Sequence, residues 1–254
     1  MRDIDFNVNR LGFYSVKWDC MEMAGGRSGD LPFWIADMEY SAADAIQDSL
    51  KRRAEHPVYG YTYVPERCRQ AVCSWYNSRY GAGLDPRDVV PAASVLSSMV
   101  VILRSLIRTG DPVFVFTPVY PQFYSVIRKA GGRAESVVLM AGESIDWDRV
   151  EEKLKHCRAA LFCNSHNPIG KVWKKEECIR FAELCEKYQV FILSDEVHGD
   201  MALFGNRYNS MISLDRTASR AIVFTSGAKT FNIAGLGGAN LFVKDPFLRS
   251  RISE

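Results

Sequence analysis

The chain has 254 residues, so at roughly 150 residues per domain it holds one large domain or two small ones. Hydrophobic residues make up 47% and charged residues 24%, a globular balance that excludes a disordered chain. A net charge of +2 leaves no electrostatic footprint for nucleic acid or another polyanion. The longest apolar stretch, Val95 to Ile107, is broken by Ser97, Ser98, Arg104 and Ser105, which excludes an ordinary membrane span. The opening MRDIDFNVNR alternates charged and apolar residues and lacks the apolar core of a secretory leader. The seven cysteines form no C-x-x-C, and the four histidines complete no zinc spacing. We read the cysteines as reduced thiols of a cytoplasmic protein and expect no metal site.

The first 40 residues read as irregular, with Gly25-Gly26 and Gly29 marking turns. A helical pattern runs from Ala42 to Ala54. Pro65 reads as a first-turn proline of a second helix reaching Tyr80, with Cys68, Val72, Trp75 and Arg79 on one face. Ser94 is placed to cap a long apolar helix ending near Ile107. Short apolar, β-rich runs then alternate with helical stretches: VFVFT (113–117), ESVVL (135–139), AALFCN (159–164), VFILSD (190–195), AIVFTS (221–226) and ANLFV (239–243). Between the third and fourth, Lys174 to Tyr188 is helical, and Cys178 and Cys185 share its core face. Alternating strands and helices predict an α/β fold with a mostly parallel sheet covered on both sides. Runs this uniformly apolar suit strands buried on both faces.

In such sheets ligands bind beyond the carboxyl ends of the strands. After AALFCN come Ser165-His166-Asn167-Pro168-Ile169-Gly170. VFILSD ends on Asp195, with Glu196 next and His198 three residues on. AIVFTS ends on Ser226, with Lys229 three residues later, and VFVFT leads into Pro118-Val119-Tyr120-Pro121. Singly, each has an ordinary explanation: a solvated lysine, a helix-capping aspartate, a structural histidine, an Asn-Pro turn, a packed tyrosine. Together they offer an amide, a carboxylate, an amine with a hydroxyl, and an aromatic ring. With the helix N-terminus at Ser94-Val95-Leu96, which can bind an anion, they match the needs of pyridoxal phosphate. That cofactor needs a lysine for a Schiff base and a carboxylate to keep its pyridine nitrogen protonated.

The chain resembles the fold-type I pyridoxal-phosphate enzymes of the aminotransferase class I/II group, in the cystathionine or cysteine-S-conjugate β-lyase branch. The segments that carry the resemblance are Pro32-Phe33-Trp34-Ile35-Ala36-Asp37-Met38, Tyr59-Gly60-Tyr61, Pro118-Val119-Tyr120-Pro121, His166-Asn167-Pro168-Ile169-Gly170-Lys171-Val172-Trp173, Ser194-Asp195-Glu196-Val197-His198 and Lys229-Thr230-Phe231-Asn232-Ile233-Ala234-Gly235-Leu236. The resemblance implies a three-layer αβα large domain and the elimination of a thiol from a sulfur amino acid, giving pyruvate and ammonia. It implies that Lys229 forms the Schiff base and moves the α-proton, and that Asp195 pairs with the pyridine nitrogen. Asn167 would donate to the ring hydroxyl with His198 nearby, and Tyr120 would stack on the ring. Ser94, Ser226 and the backbone N–H groups of Val95 and Leu96 would hold the phosphate. Tyr61 would reach the phosphate of a second subunit, which implies a homodimer. Cis peptide bonds are implied at Thr117–Pro118 and Asn167–Pro168. An aminotransferase of the same fold and a non-catalytic remnant of it are the other readings.

Three positions depart from the family pattern: Ala228 stands where serine is usual, Ala93-Ser94-Val95-Leu96 replaces a glycine-containing turn, and Ile169 replaces threonine. The resemblance divides the chain into an N-terminal segment (1–40), a cofactor-binding large domain (41–245) and the start of an interdomain helix (246–254). It places the small domain, with the arginine that grips the substrate carboxylate, beyond the C-terminal end of this sequence.

Overall fold

The structure, a computed structural model, describes residues 8–27, 29–140, 144–214 and 220–253. The first seven residues of the opening segment discussed above lie outside them. The chain divides into two compact units, Met1–Thr62 with Gly227–Gly237, and Tyr63–Ser226 with Gly238–Glu254.

The first unit is mostly irregular. It contains a single-turn helix α1 (Val16–Asp19), the amphipathic helix α2 (Asp44–Glu55) and, from its second stretch of chain, the short helix α8 (Gly227–Thr230). Its order comes from polar pairing. Arg10 and Lys17 lie among the carboxylates of Asp37 and Glu39, with Arg10 Nη2 2.7 Å from Asp37 Oδ2.

The second unit carries a sheet that, among the described residues, has seven strands in the order β1-β7-β6-β5-β4-β2-β3. They are β1 (Val89–Ala92), β2 (Pro112–Thr117), β3 (Arg133–Val138), β4 (Ala159–Cys163), β5 (Phe191–Asp195), β6 (Ala221–Thr225) and β7 (Ala239–Phe242). Strands β2 to β6 pair in parallel, while β7 runs antiparallel to both β6 and β1. The connection after β6 contains the short helix α8 and a 3₁₀ turn (Ala234–Leu236), and the antiparallel register Val223↔Phe242, Thr225↔Asn240 sets the start of β7 beside the end of β6. Two reversals restore direction, so β1 points the same way as β6. Its carboxyl end therefore lies at the same edge as theirs.

The strands bury alternate residues on opposite faces, as their period of two requires. One face presents Phe114, Phe116, Ala160, Phe162, Ile192, Val223 and Phe242 to α3 (Glu66–Tyr80), α6 (Trp147–Leu154) and α7 (Lys175–Lys187). The other presents Val113, Val115, Leu161, Leu193, Ile222, Phe224 and Leu241 to α4 (Val95–Leu106), α5 (Gln122–Lys129) and α9 (Pro246–Ser253). This is the expected three-layer αβα arrangement with a mostly parallel sheet. The first core is aromatic: Phe162 stacks on Phe181 with centroids 4.9 Å apart, and Trp173 lies 4.6 Å from Phe162. Cys178 and Cys185 are both buried in it.

Two expectations need adjustment. Pro65 is not in the first turn but immediately before it, with extended backbone, because it sits at the N-cap of α3. Strand β1 has no counterpart in the sequence reading. Its four residues include Pro91, which cannot donate to a ladder and so weakens any strand pattern; here it lies in the sheet's outermost strand. Among the described residues no helix is long and apolar enough to cross a membrane.

Candidate active site

Four neighbouring strands, β6, β5, β4 and β2, end at one edge of the sheet. Each is followed by a candidate residue from the sequence: Ser226 after β6, Asp195 as the last residue of β5, Asn167 after β4 and Tyr120 after β2. Because these strands are parallel and adjacent, side chains far apart in sequence are delivered side by side. Asp195 pairs across the ladder with Cys163 on one side and Phe224 on the other.

Asp195 is only 6% exposed, and its Oδ1 accepts the backbone N–H of Val197 at 3.2 Å. The turn after it is held by backbone bonds from Glu196 N to Phe224 O and from Gly199 N to Glu196 O. His198 lies in that turn and is half-buried. Tyr120 is 36% exposed. Burial, and then the charge of Asp195, hold its phenol above the ordinary tyrosine value.

The turn bearing Asn167 is tight. It is closed by His166 N to Lys171 O at 2.8 Å and Gly170 N to His166 O at 2.9 Å, and Gly170 has φ +67°, where glycine is favoured. The bonds Thr117–Pro118 and Asn167–Pro168 are cis, as the resemblance implies, and so is Asn164–Ser165. Asn167 N donates to Cys163 Sγ at 3.4 Å. Burial holds the Cys163 thiol up at about 12, so it stays a protonated packing group. In the sequence His166 stands only as part of a motif. Its Nε2 donates to Pro118 O at 2.8 Å, tying the Asn167 turn to the Tyr120 turn. Burial pushes its imidazole down toward the neutral form, in which the proton that bonds Pro118 sits on Nε2.

Among the described residues, three buried side-chain atoms at this turn lack any partner: Asn164 Oδ1, Ser165 Oγ and His166 Nδ1. Buried polar atoms are almost always paired, so the turn that carries Asn167 is built over unmet hydrogen-bonding capacity.

The candidate anion end of the site is the start of α4. Ser94 caps this helix, its Oγ accepting Ser97 N at 3.3 Å and bonding Ser97 Oγ at 2.6 Å. The N–H groups of Val95 and Leu96 open the helix, where they have no intrahelical acceptor. Gly238 N donates to Ala93 O at 2.8 Å, and Ser226 Oγ donates to Gly238 O at 2.7 Å. Gly238, with φ +90°, thus links the α4 entrance to the end of β6. A buried carboxylate, an aromatic face, an amide and a helix N-terminus flanked by serines are, the lysine apart, the groups expected around pyridoxal phosphate.

The remaining two candidates belong to the first unit. Lys229 lies in α8, and its Nζ donates to Ala36 O at 3.0 Å. Tyr61 is fully exposed on an irregular stretch.

Compared with known proteins, residues 35–250 match the family model for aminotransferase class I and II. The chain belongs to that family. It is 34% identical to cystathionine beta-lyase PatB of Bacillus subtilis over 257 residues, covering 99% of this chain and 66% of that protein. It is 32% identical to protein MalY of Escherichia coli, covering 94% of this chain and 62% of that protein. The crystal structure of cystalysin from Treponema denticola, which contains a pyridoxal 5'-phosphate cofactor, superposes with a TM-score of 0.91. It is 31% identical, covering 98% of this chain and 66% of that one. The chain therefore spans a little under two thirds of these relatives' lengths.

Proposed function

We propose that this chain binds pyridoxal 5'-phosphate and serves a C–S β-lyase, an enzyme that eliminates a thiol from a sulfur amino acid such as cystathionine. The observation that carries this reading is the delivery of Ser226, Asp195, Asn167 and Tyr120 by four adjacent strands to the edge where α4 begins. The similarity to PatB and cystalysin favours lyase chemistry within the family.

When bound, the cofactor accepts into its ring the electrons left on the substrate's Cα. The chain's own residues do the rest. Asp195, buried and fixed by Val197 N–H, holds a proton on the ring nitrogen. Asn167 would donate to the ring hydroxyl, with His198 assisting, and Tyr120 would stack on the ring. The N–H groups of Val95 and Leu96, with the hydroxyls of Ser94 and Ser226, hold the phosphate without a basic side chain, using the positive end of the α4 dipole. Lys229 would hold the cofactor's aldehyde carbon through Nζ and, once the substrate's amine has displaced it there, the freed Nζ would take the proton from the substrate's Cα. The Cβ–S bond breaks with its electron pair going to sulfur. The thiol leaves after gaining a proton, and hydrolysis of the remainder gives pyruvate and ammonia.

The same reading makes the working enzyme a homodimer in which Tyr61, bare in the single chain, reaches the phosphate of the second copy. It places the enzyme in the cytoplasm, where buried thiols such as Cys157 and Cys163 stay reduced. The test is absorbance titration with pyridoxal phosphate, together with an assay of pyruvate from cystathionine. A Lys229-dependent absorbance band that Lys229→Ala abolishes, with pyruvate released, is the expected result. Amino transfer to a keto acid without pyruvate would overturn the lyase reading, and a band that survives Lys229→Ala would overturn the site.

A further inference from the structure

The segment from Ala36 to Tyr40 has no regular secondary structure, yet the first unit spends much of its polar pairing on it. Its first carbonyl, Ala36 O, accepts from Lys229 Nζ at 3.0 Å. Two residues on, the Asn232 carboxamide engages the main chain from the Lys229 side. Its Oδ1 accepts Met38 N–H at 3.0 Å, and its Nδ2 donates to Met38 O at 3.1 Å and Tyr40 O at 2.7 Å. Asn232 has φ +54°, a left-handed conformation that asparagine tolerates better than most residues. From the other side, Arg10 grips the Asp37 carboxylate with both terminal nitrogens, at 2.7 and 3.3 Å, and reaches Met38 O at 3.3 Å. Lys17, buried, donates to Asp37 O at 2.9 Å and pairs with Glu39 at 2.5 Å. Trp18 Nε1 donates to the same Glu39 at 3.0 Å.

We propose that Asp37, Lys17 and Asn232 are positioning residues for Lys229, acting through the main chain of Ala36 to fix the carbonyl on which the Lys229 amine rests. A lysine side chain has four rotatable bonds, and a fixed acceptor selects among their combinations before reaction. A carbonyl in an irregular segment can serve as that acceptor only if the segment itself is held. Here it is held on one face by an amide and on the other by an ion-paired cluster. The charges are in place at neutral pH. Burial opposes ionisation of Asp37 and Glu39, but Arg10 and Lys17 for the first, and Lys17, Trp18 and Arg10 for the second, outweigh it and keep both carboxyls below their ordinary values.

The inference rests on Lys229 being the amine that bonds the cofactor aldehyde, and the experiment separates the two claims. The 254-residue chain is mixed with pyridoxal phosphate or with pyridoxal, reduced with borohydride after timed intervals, and digested. Labelling of Lys229 is then measured by mass spectrometry relative to exposed lysines such as Lys51 of the same molecules. Asp37→Asn and Asn232→Ala should each slow Lys229 labelling by roughly 3- to 10-fold, the effect of freeing one rotamer-rich side chain. Labelling of exposed lysines should not change. The slowing should be equal for both aldehydes, because the defect lies in the amine and not in the phosphate cradle. Asp37→Glu, which keeps a charge for Arg10 and Lys17, should recover most of the rate. Asn232→Ala removes no charge, so it carries the test if Asp37→Asn does not fold. Folded variants that label Lys229 at the wild-type relative rate would overturn the proposal. A wild-type chain with no preference for Lys229 over exposed lysines would overturn both the proposal and the function it rests on.

Discussion

Glu196 follows Asp195 directly, yet its side chain does something different. It is 1% exposed and receives four donors: Ser194 Oγ at 2.7 Å and Met211 N at 2.9 Å on Oε1, and Tyr208 OH and Ser210 Oγ on Oε2. It therefore fastens the 208–211 segment to the end of β5 and helps to fix the turn that carries Asp195 and His198. Glu196→Ala strands the Met211 N–H, which cannot re-aim, and leaves three hydroxyls around a cavity. The expected cost is about 2–5 kcal/mol, a stranded buried donor together with the cavity left by the side chain. Glu196→Gln keeps an acceptor for Met211 N–H and Ser194, while the Tyr208 and Ser210 hydroxyls can turn to accept from its amide. Its cost should be about 1 kcal/mol near neutral pH. The pH dependence separates this reasoning from simple packing. Burial raises the Glu196 carboxyl above its ordinary value, against the pull of its four donors. A raised native pKa means that the folded state binds the proton more tightly than the unfolded chain. The resulting stability is complete below about pH 4.5, the unfolded value, and is lost as pH rises through the folded one. Glutamine carries no such contribution, so the stability gap between wild type and Glu196→Gln should narrow as pH rises from 4.5 to 8. Urea denaturation across that range measures it. A gap independent of pH, or an alanine variant no less stable than the glutamine one, would refute the argument.

Asp37 should act on the opposite limb. Its native pKa lies below the ordinary value, so its contribution is full above about pH 3.8 and lost as pH falls through the native value. Asp37→Asn should flatten the acid side of the stability profile, measured by thermal unfolding between pH 2 and 5, and leave the alkaline side unchanged. At the sheet edge, Asp195→Asn removes the anion to which the proposed function assigns the ring-nitrogen proton. Pyruvate release under saturating cofactor should fall by roughly 10²–10³-fold, with the phosphate cradle and the absorbance titration much less affected.

The sequence and the structure agree most closely where local pattern decides the outcome. Strands β2, β4, β5 and β6 are short apolar runs because each is buried on both faces, and that burial is written residue by residue, whereas the edge strand β3 is largely exposed. Asp195, Asn167, Tyr120 and Ser226 stand out because each ends or closely follows such a run. Strand β1 was not legible, since four residues containing Pro91 carry almost no pattern of their own. Its identity depends on β7, which lies about 150 residues later in the chain and supplies its ladder partners.

The anchors of the site were illegible for a related reason. Ser94 could be recognised as a cap from its own neighbourhood, but what brings it beside Ser226 is the pair of reversals through β7 and the bridge at Gly238. Arg10 meets Asp37 across 27 positions, and Asn232 meets Met38 across 194. Glu196 finds its acceptor role only when Tyr208, Ser210 and Met211 fold back on β5. None of these partners shares a local period, and single charged or amide residues in irregular chain look alike whether solvated or clamped. A reacting group can be guessed from its own position, because the strand end exposes it there. The groups that aim it are defined by pairings between distant segments, and these can be read only once the chain is folded.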